Sequence, residues 1–269
     1  MNLVALTRAD FELAQRRMGS GRTLPILVNA RTADDRLVQL VVKTAGRLTM
    51  PPREYLLEWV GAAIGRAMGI EVPAPFAITV DEDAVHAVLD GELRADLERS
   101  TGLLFGSEFV GHRGQTQLTS QLKPTRTQRA AAGLVLAFDV FVHNPDRRAA
   151  NHNLFVHREG VIAFDHEAAF AFLLPLLFAP DPVLDPCQSI VSQHALFGWL
   201  KGHAEALDPV SEQIRALDDV FWNTLAAETP AEWTQGPAAG KMEEICDVLR
   251  RRRDALQSWL PQVKACLDR

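Results

Sequence analysis

The sequence predicts an α+β protein of two lobes, β-rich at its N-terminal end and mainly helical at its C-terminal end. Three observations lead there. Alternating and β-branched apolar runs crowd the chain up to about residue 104. Later segments carry apolar side chains at helical spacing, as in 125–143 and 239–268. A polar stretch, "NPDRRAAN" (144–151), interrupts the helical half directly after its most apolar helix. The expected layout is an N-terminal lobe over 1–104, a connector over 105–110 and a helical lobe over 111–269.

The elements follow in order. "LPILVNA" (24–30) and "RLVQLVVKT" (36–44) read as strands, with "RTADD" as the hairpin turn between them. "PPREYLLEWVGAAIGRAMGI" (51–70) reads as a helix. Its prolines suit a first turn, Leu56, Leu57, Val60, Ile64, Ala67 and Met68 share a face, and Gly69 is a stop. "VPAPFAITV" (72–80) and "AVHAVLD" (84–90) read as two more strands, and "GLLFGSEFVGHRG" (102–114) as a short apolar one. A helix is expected over 125–143. After it, "HNLFVHR" and "GVIAFDHE" form a hairpin through an "EG" turn. The remainder reads as helices over 208–226 and 239–268, with Asp208 and Ser211 as caps for the first and loops at 175–186 and 228–240. Met242, Ile245, Leu249, Leu256, Trp259 and Val263 form a stripe that reads as core.

Composition removes several function classes. The 269 residues carry a net charge of -6, unlike a general nucleic-acid binder, and the basic run at 250–253 reads as a solvated helix face. The 3 cysteines lack metal-ligand spacing and read as reduced thiols, and no secretory leader or membrane span is evident, so a cytoplasmic protein is expected.

The chemistry lies in a few polar residues. Asp146 and Asn151 stand five apart on an irregular loop, and Asp165 ends the run "VIAFD". Asn151 and Asp165 suit Mg²⁺, a hard ion that takes oxygen ligands, and Asp146 is then free to orient or deprotonate a hydroxyl. Taken alone, Asp146 and Asn151 fit an Asx-rich turn better, and adding Asp165 at its strand end brings the two readings level. Upstream, Lys43 ends an alternating apolar strand and Glu58 lies beside the apolar stripe of the next helix. A strand lysine held by a helix glutamate can grip nucleotide phosphates. "GSG" (19–21) is a turn whose amides could approach phosphates.

In this order the chain resembles the HipA-like kinase family, within the protein-kinase-like and phosphoinositide-kinase-like fold. The resemblance rests on "VVKT" (41–44), "LLEWVGAAIGRAMGIEVPAP" (56–75), "FGSEFV" (105–110), "NPDRRAANHNLFV" (144–156) and "IAFDHEAAF" (162–170). It implies an ATP-dependent phosphotransferase acting on a protein Ser or Thr. Lys43 would contact the α- and β-phosphates and pair with Glu58. Gly19, Ser20 and Gly21 would cover the phosphates. Ser107, Glu108, Phe109 and Val110 would bind adenine, Asp146 would be the base, and Asn151 and Asp165 would hold Mg²⁺ or Mn²⁺. Arg147 or Arg148 would steady the transferred phosphate. An antitoxin-type partner accompanies some members. The chain departs from related motifs at Arg148, where His is frequent, and at Glu167, where Gly is common. Two other readings remain: a kinase-shaped binding module, and a metal-dependent phosphohydrolase built on His143, His152, His157 and His166.

Overall fold

A computed structural model describes residues 5–18, 24–111, 116–119, 122–174 and 180–269. Five strands make the first lobe: β1 (Thr7–Arg17), β2 (Ile26–Thr32), β3 (Leu37–Val42), β4 (Pro75–Val80) and β5 (Gly102–Glu108). They close into a barrel in the order β1-β2-β3-β5-β4, sealed by a parallel pairing of β1 with β4. The period of two decides which side chains enter it. Ile26 faces Val42 and Val28 faces Leu40 across the β2–β3 ladder, and all four are buried. The alternate residues Val41 and Lys43 therefore turn to the opposite face, toward the second lobe. β1 escaped the sequence reading because its alternation is broken by two register shifts and only Ala9 and Phe11 along it are buried.

The helix α1 (Pro51–Ala67) packs against this barrel and ends at Gly69, whose φ of +83° is a left-handed stop. The strand expected at 84–90 is a correction. That region forms α2 (Glu82–His86) and leads into α3 (Gly91–Glu98). Asp81 caps α2 through Ala84 N, and Asp90 caps α3 through Glu92 N and Leu93 N. Val85 and Val88 are buried at a helical, not a strand, interval. β5 runs on to Glu108, so the last strand of the barrel extends into the segment expected as connector.

The second lobe begins with the two-residue strand β6 (Thr116–Gln117) and α4 (Arg126–Phe141). Thr125 and Gln128 form a reciprocal capping box at the start of α4. The hairpin β7 (Leu154–His157) and β8 (Gly160–Ala163) follows, and His157 pairs with Gly160. The turn is thus Arg158-Glu159, one residue earlier than expected. Among the described residues six further α-helices follow, with short 3-10 turns between some of them: α5 (Gln188–Gln193), α6 (Phe197–Leu200), α7 (Val210–Arg215), α8 (Asp219–Glu228), α9 (Lys241–Asp254) and α10 (Leu256–Leu267).

Three further expectations are corrected. The helix over 208–226 is two helices, and the cap is Asp218, which accepts from Phe221 N, instead of Asp208 or Ser211. The helix over 239–268 breaks at Ala255. The basic run is not wholly solvated. Arg252 is fully buried, donates to the carbonyls of Pro182, Val183 and Val140, and lies 4.5 Å over the Trp259 ring. The expected loop at 228–240 contains Trp233, buried against Tyr55 and Phe105, with its indole N–H on Leu103 O. The C-terminal helices therefore brace α1 and β5 of the first lobe. No helix among the described residues is long and apolar enough to cross a membrane. Cys187, Cys246 and Cys266 are free thiols.

Gly133 on α4 offers a direct check of this packing. A Cβ there would meet the Ala206 carbonyl oxygen at 2.4 Å, a backbone atom that cannot swing away. Gly133→Ala should destabilise the protein by about 1–3 kcal/mol, read from urea unfolding followed by circular dichroism.

Candidate active site

A cavity of about 890 Å³ opens between the lobes. It is lined by Val41, Lys43 and Glu58 from the first lobe, by Phe105 and Ser107–Gly111 from the end of β5 and the segment that follows it, and by Asp146, Asn151, Asp165 and Glu167 from the second. Lys43, Glu58, Ser107–Val110, Asp146, Asn151 and Asp165 therefore meet in one place, whereas Arg147 and Arg148 are not part of its lining. Gly19, Ser20 and Gly21, expected to cover phosphates, lie outside the described residues.

The approach of α1 sets the first-lobe side. Gly61 lies so near the tip of β8 that a Cβ would meet His166 Cβ at 2.5 Å. One turn away, Glu58 then reaches both partners. One oxygen bonds Lys43 Nζ and the other accepts from His166 N at 2.9 Å. Lys43 Nζ also donates to Asp165 Oδ1 and Glu167 Oε2, each at 2.7 Å. Asp165 adopts φ +61°, a left-handed turn that aspartate tolerates and that ends the strand at the cavity. Burial opposes the charges of Lys43, Glu58 and Asp165. It works to lower Lys43, yet Glu58, Asp165 and Glu167 hold the ammonium well above its ordinary range. Burial likewise works to raise Asp165, but Lys43 outweighs it and holds the carboxyl down at about 2. Glu58 is the most enclosed of the acids, and burial pushes it up to about 7 against the pull of Lys43.

On the opposite wall, Asp146 Oδ2 accepts from Asn151 Nδ2 at 2.6 Å and Oδ1 from Arg148 Nη2 at 3.3 Å. Backbone bonds close the loop: Arg148 N donates to Asn151 O at 3.1 Å, and Asn151 N to Arg148 O at 2.9 Å. The histidines do not converge. His157 pairs with Glu71, His143 with the Pro182 carbonyl, and His166 is buried beside Phe138. Among the described residues, no group of three metal-capable side chains contains two histidines, whereas Glu58, Asp165 and Glu167 form an all-oxygen group. His143 does stand with Asp185 and Cys187 in a group that could hold a metal ion, but none of the three lines the interlobe cavity, so that group does not join His143 to Asp146 or Asp165 as the phosphohydrolase reading requires.

A profile of sequence families decides the kinship: the HipA-like kinase model matches residues 12–256. The chain belongs to the HipA-like kinase family. No curated protein matches it. Among solved structures, this HipA-like chain is similar to the proinflammatory kinase CtkA of Helicobacter pylori. The TM-score is 0.52 and identity 12%, with 94% of this chain and 97% of that one covered. It is also similar to the Golgi casein kinase with Mn/ADP bound, at TM-score 0.50 and 11% identity, covering 96% of this chain and 73% of that one. At such identities the likeness is one of fold, and the fold is kinase-like.

The sequence reading missed the residues beneath the HipA-like loop. Asp139, near the end of α4, is fully buried and accepts from Asn144 Nδ2 at 2.8 Å, Arg147 Nε at 2.6 Å and His194 Nε2 at 2.9 Å. Arg147, also buried, goes on to donate to the carbonyls of Asn153 at 2.7 Å and Phe164 at 3.1 Å. It thereby ties the loop carrying Asp146 to the strand tip carrying Asp165. The one available signal was an aspartate inside the apolar run "VLAFDVFV", since an isolated acid on a buried helix face needs a partner. Of the two arginines, Arg147 is structural and Arg148 is exposed beside Asp146.

Two predictions follow from these burials. Burial works to raise the Asp139 carboxyl, but Arg147 and His194 hold it below its ordinary value. Asp139→Ala leaves a buried guanidinium uncompensated and should cost roughly 3–5 kcal/mol in chemical denaturation, whereas Arg148→Ala should change stability by less than about 1 kcal/mol. Burial also drives His143 down to about 4 and His166 down to about 3. Both stay neutral in the fold while the unfolded chain takes up protons near pH 6.5. Their contribution is complete above that value and is lost as pH falls toward 4. The unfolding free energy should therefore drop between pH 7 and 5, and His143→Gln should flatten that slope by up to one proton, about 1.4 kcal/mol per pH unit.

Proposed function

We propose that this chain transfers the γ-phosphate of ATP to a hydroxyl, with a protein Ser or Thr as the acceptor. The observation that carries the reading is the interlobe cavity holding Lys43, Glu58, Asp146, Asn151 and Asp165 together. In this reading Lys43 bonds the α- and β-phosphates and Glu58 keeps the ammonium in place. The Ser107–Val110 backbone takes the adenine edge. Its strand is anchored on both sides, by Glu108 N to Ala74 O and by Phe109 N to Gln39 O, each at 2.9 Å.

Asp146 is the group placed to align or deprotonate the acceptor hydroxyl. It is held from both sides by Asn151 and Arg148, so its oxygens keep a narrow range of directions. Arg148, exposed beside it, is in reach of a phosphate leaving for the acceptor. The donor set fits a hard divalent ion. Asn151 bonds Asp146 through its amide nitrogen, which leaves the amide oxygen as a ligand, and Asp165 supplies a carboxylate. Mg²⁺ or Mn²⁺ held there would neutralise charge on the phosphates. The Golgi casein kinase, of similar fold, carries Mn/ADP.

Transfer of label from γ-labelled ATP to a mixture of protein acceptors tests the reading. Asp146→Ala and Asp165→Ala should each lower incorporation by at least about 100- to 1,000-fold while the unfolding midpoint stays near wild type. Equal incorporation by wild type and both variants would sink it. ATP with Mg²⁺ at millimolar concentration should also raise the melting temperature, as any ligand that binds only the folded state must.

A further inference from the structure

Lys43 has three N–H donors and no more. In this structure all three are spoken for, by Glu58, Asp165 and Glu167. A phosphate oxygen can bond this ammonium only by displacing one of the three. Glu58 is the least able to leave, since its second oxygen is fixed by His166 N and its helix is wedged against His166 at Gly61. Asp165 is a short side chain on a left-handed turn, with little freedom to retract. Glu167 has the longer tether of the two second-lobe acids, so its carboxylate can swing aside without moving the backbone, although its side chain is the less exposed of the two, at 18% against 32% for Asp165.

We propose that Glu167 is a competitor for Lys43, and that it must yield the ammonium before the phosphates of a nucleoside di- or triphosphate can bind. The inference rests on the functional reading above, and it deepens it by naming what sets nucleotide affinity at Lys43. Electrostatics points the same way. Three carboxylates around one ammonium leave an excess of negative charge in a buried site, which opposes an incoming polyphosphate. A divalent ion arriving with the nucleotide offsets that excess. Nucleotide alone meets both the occupied lysine and the uncompensated acids. Glu167 thus makes binding depend on the metal, and it does so from the position where a glycine is common in related motifs.

The test is ADP binding by titration calorimetry, in EDTA and in Mn²⁺, for wild type, Glu167→Gln, Glu167→Gly, Lys43→Met and the Lys43→Met/Glu167→Gln double variant. Both Glu167 variants should bind metal-free ADP at least about ten-fold more tightly than wild type, one decade in Kd. The double variant should show no such gain over Lys43→Met alone, because the competition has lost its object. Unfolding midpoints near wild type show that the variants fold, and having two substitutions at 167 guards against the failure of one. Unchanged metal-free affinity in both Glu167 variants overturns the proposal. So does a gain that persists without Lys43, which would be general charge relief. Wild type that binds ADP with Mn²⁺ but shows neither effect overturns this inference alone. Absence of ADP binding in every protein, with and without Mn²⁺, overturns the functional reading as well.

Discussion

Arg147 and Asp139 form an ion pair with no exposed atoms on either side chain, and most of the interlobe site is referred to it. The arginine reaches from the end of α4 to the backbone carbonyls that follow the polar loop and to Phe164 O at the strand tip. Carbonyls in irregular backbone cannot bond each other, so a guanidinium with five fixed donors is a suitable hub for them. The pair does not have to add stability to be kept. Removing one partner strands a buried charge, and that asymmetry makes the loop geometry hard to vary. His194 and Asn144 bond the same carboxylate from other sides, one on each oxygen, which holds it in one orientation.

A second constraint is steric. α1 can bring Glu58 to Lys43 and His166 N only because Gly61 has no side chain where it meets His166. The C-terminal region presses on the same helix from outside: Trp59 donates to Thr229 Oγ1 at 2.9 Å, and Trp233 fills the space beside Tyr55. Residues nearly 180 positions apart in the chain thus hold one helix at one distance. The lobes share this brace as well as the cavity, and the position of Glu58 is a compromise between barrel, hairpin tip and C-terminal turns.

Much of the candidate site was legible as pattern. Lys43 stood out because a strand of alternating residues must turn it away from Val42, and the ladder to β2 places Val41 and Lys43 on the cavity face. Asp146, Asn151 and Asp165 stood out because three oxygen-bearing side chains around a hairpin have few purely structural uses. The histidines near Asp146 and Asp165 were legible too and read more readily as surface or supporting imidazoles than as metal ligands; His143, His157 and His166 face different partners. Arg252, by contrast, was misread. A run of four arginines on a helix must place one of them on the inner face, and the carbonyls of Pro182, Val183 and Val140 wait there.

By itself the sequence determined the two-lobed α+β layout, the α1 and α4 helices, the β2–β3 and β7–β8 hairpins and the identity of the polar residues that meet between the lobes. These are set by local periodicity and turn chemistry, which act over a few residues. Tertiary structure decided the rest: the closure of the barrel by β1, the split of the C-terminal helices, the hub at Asp139 and Arg147, and the sharing of Lys43 among three carboxylates. Each depends on groups brought together from distant parts of the chain. Burial strengthens or penalises charges there according to neighbours that no local window contains.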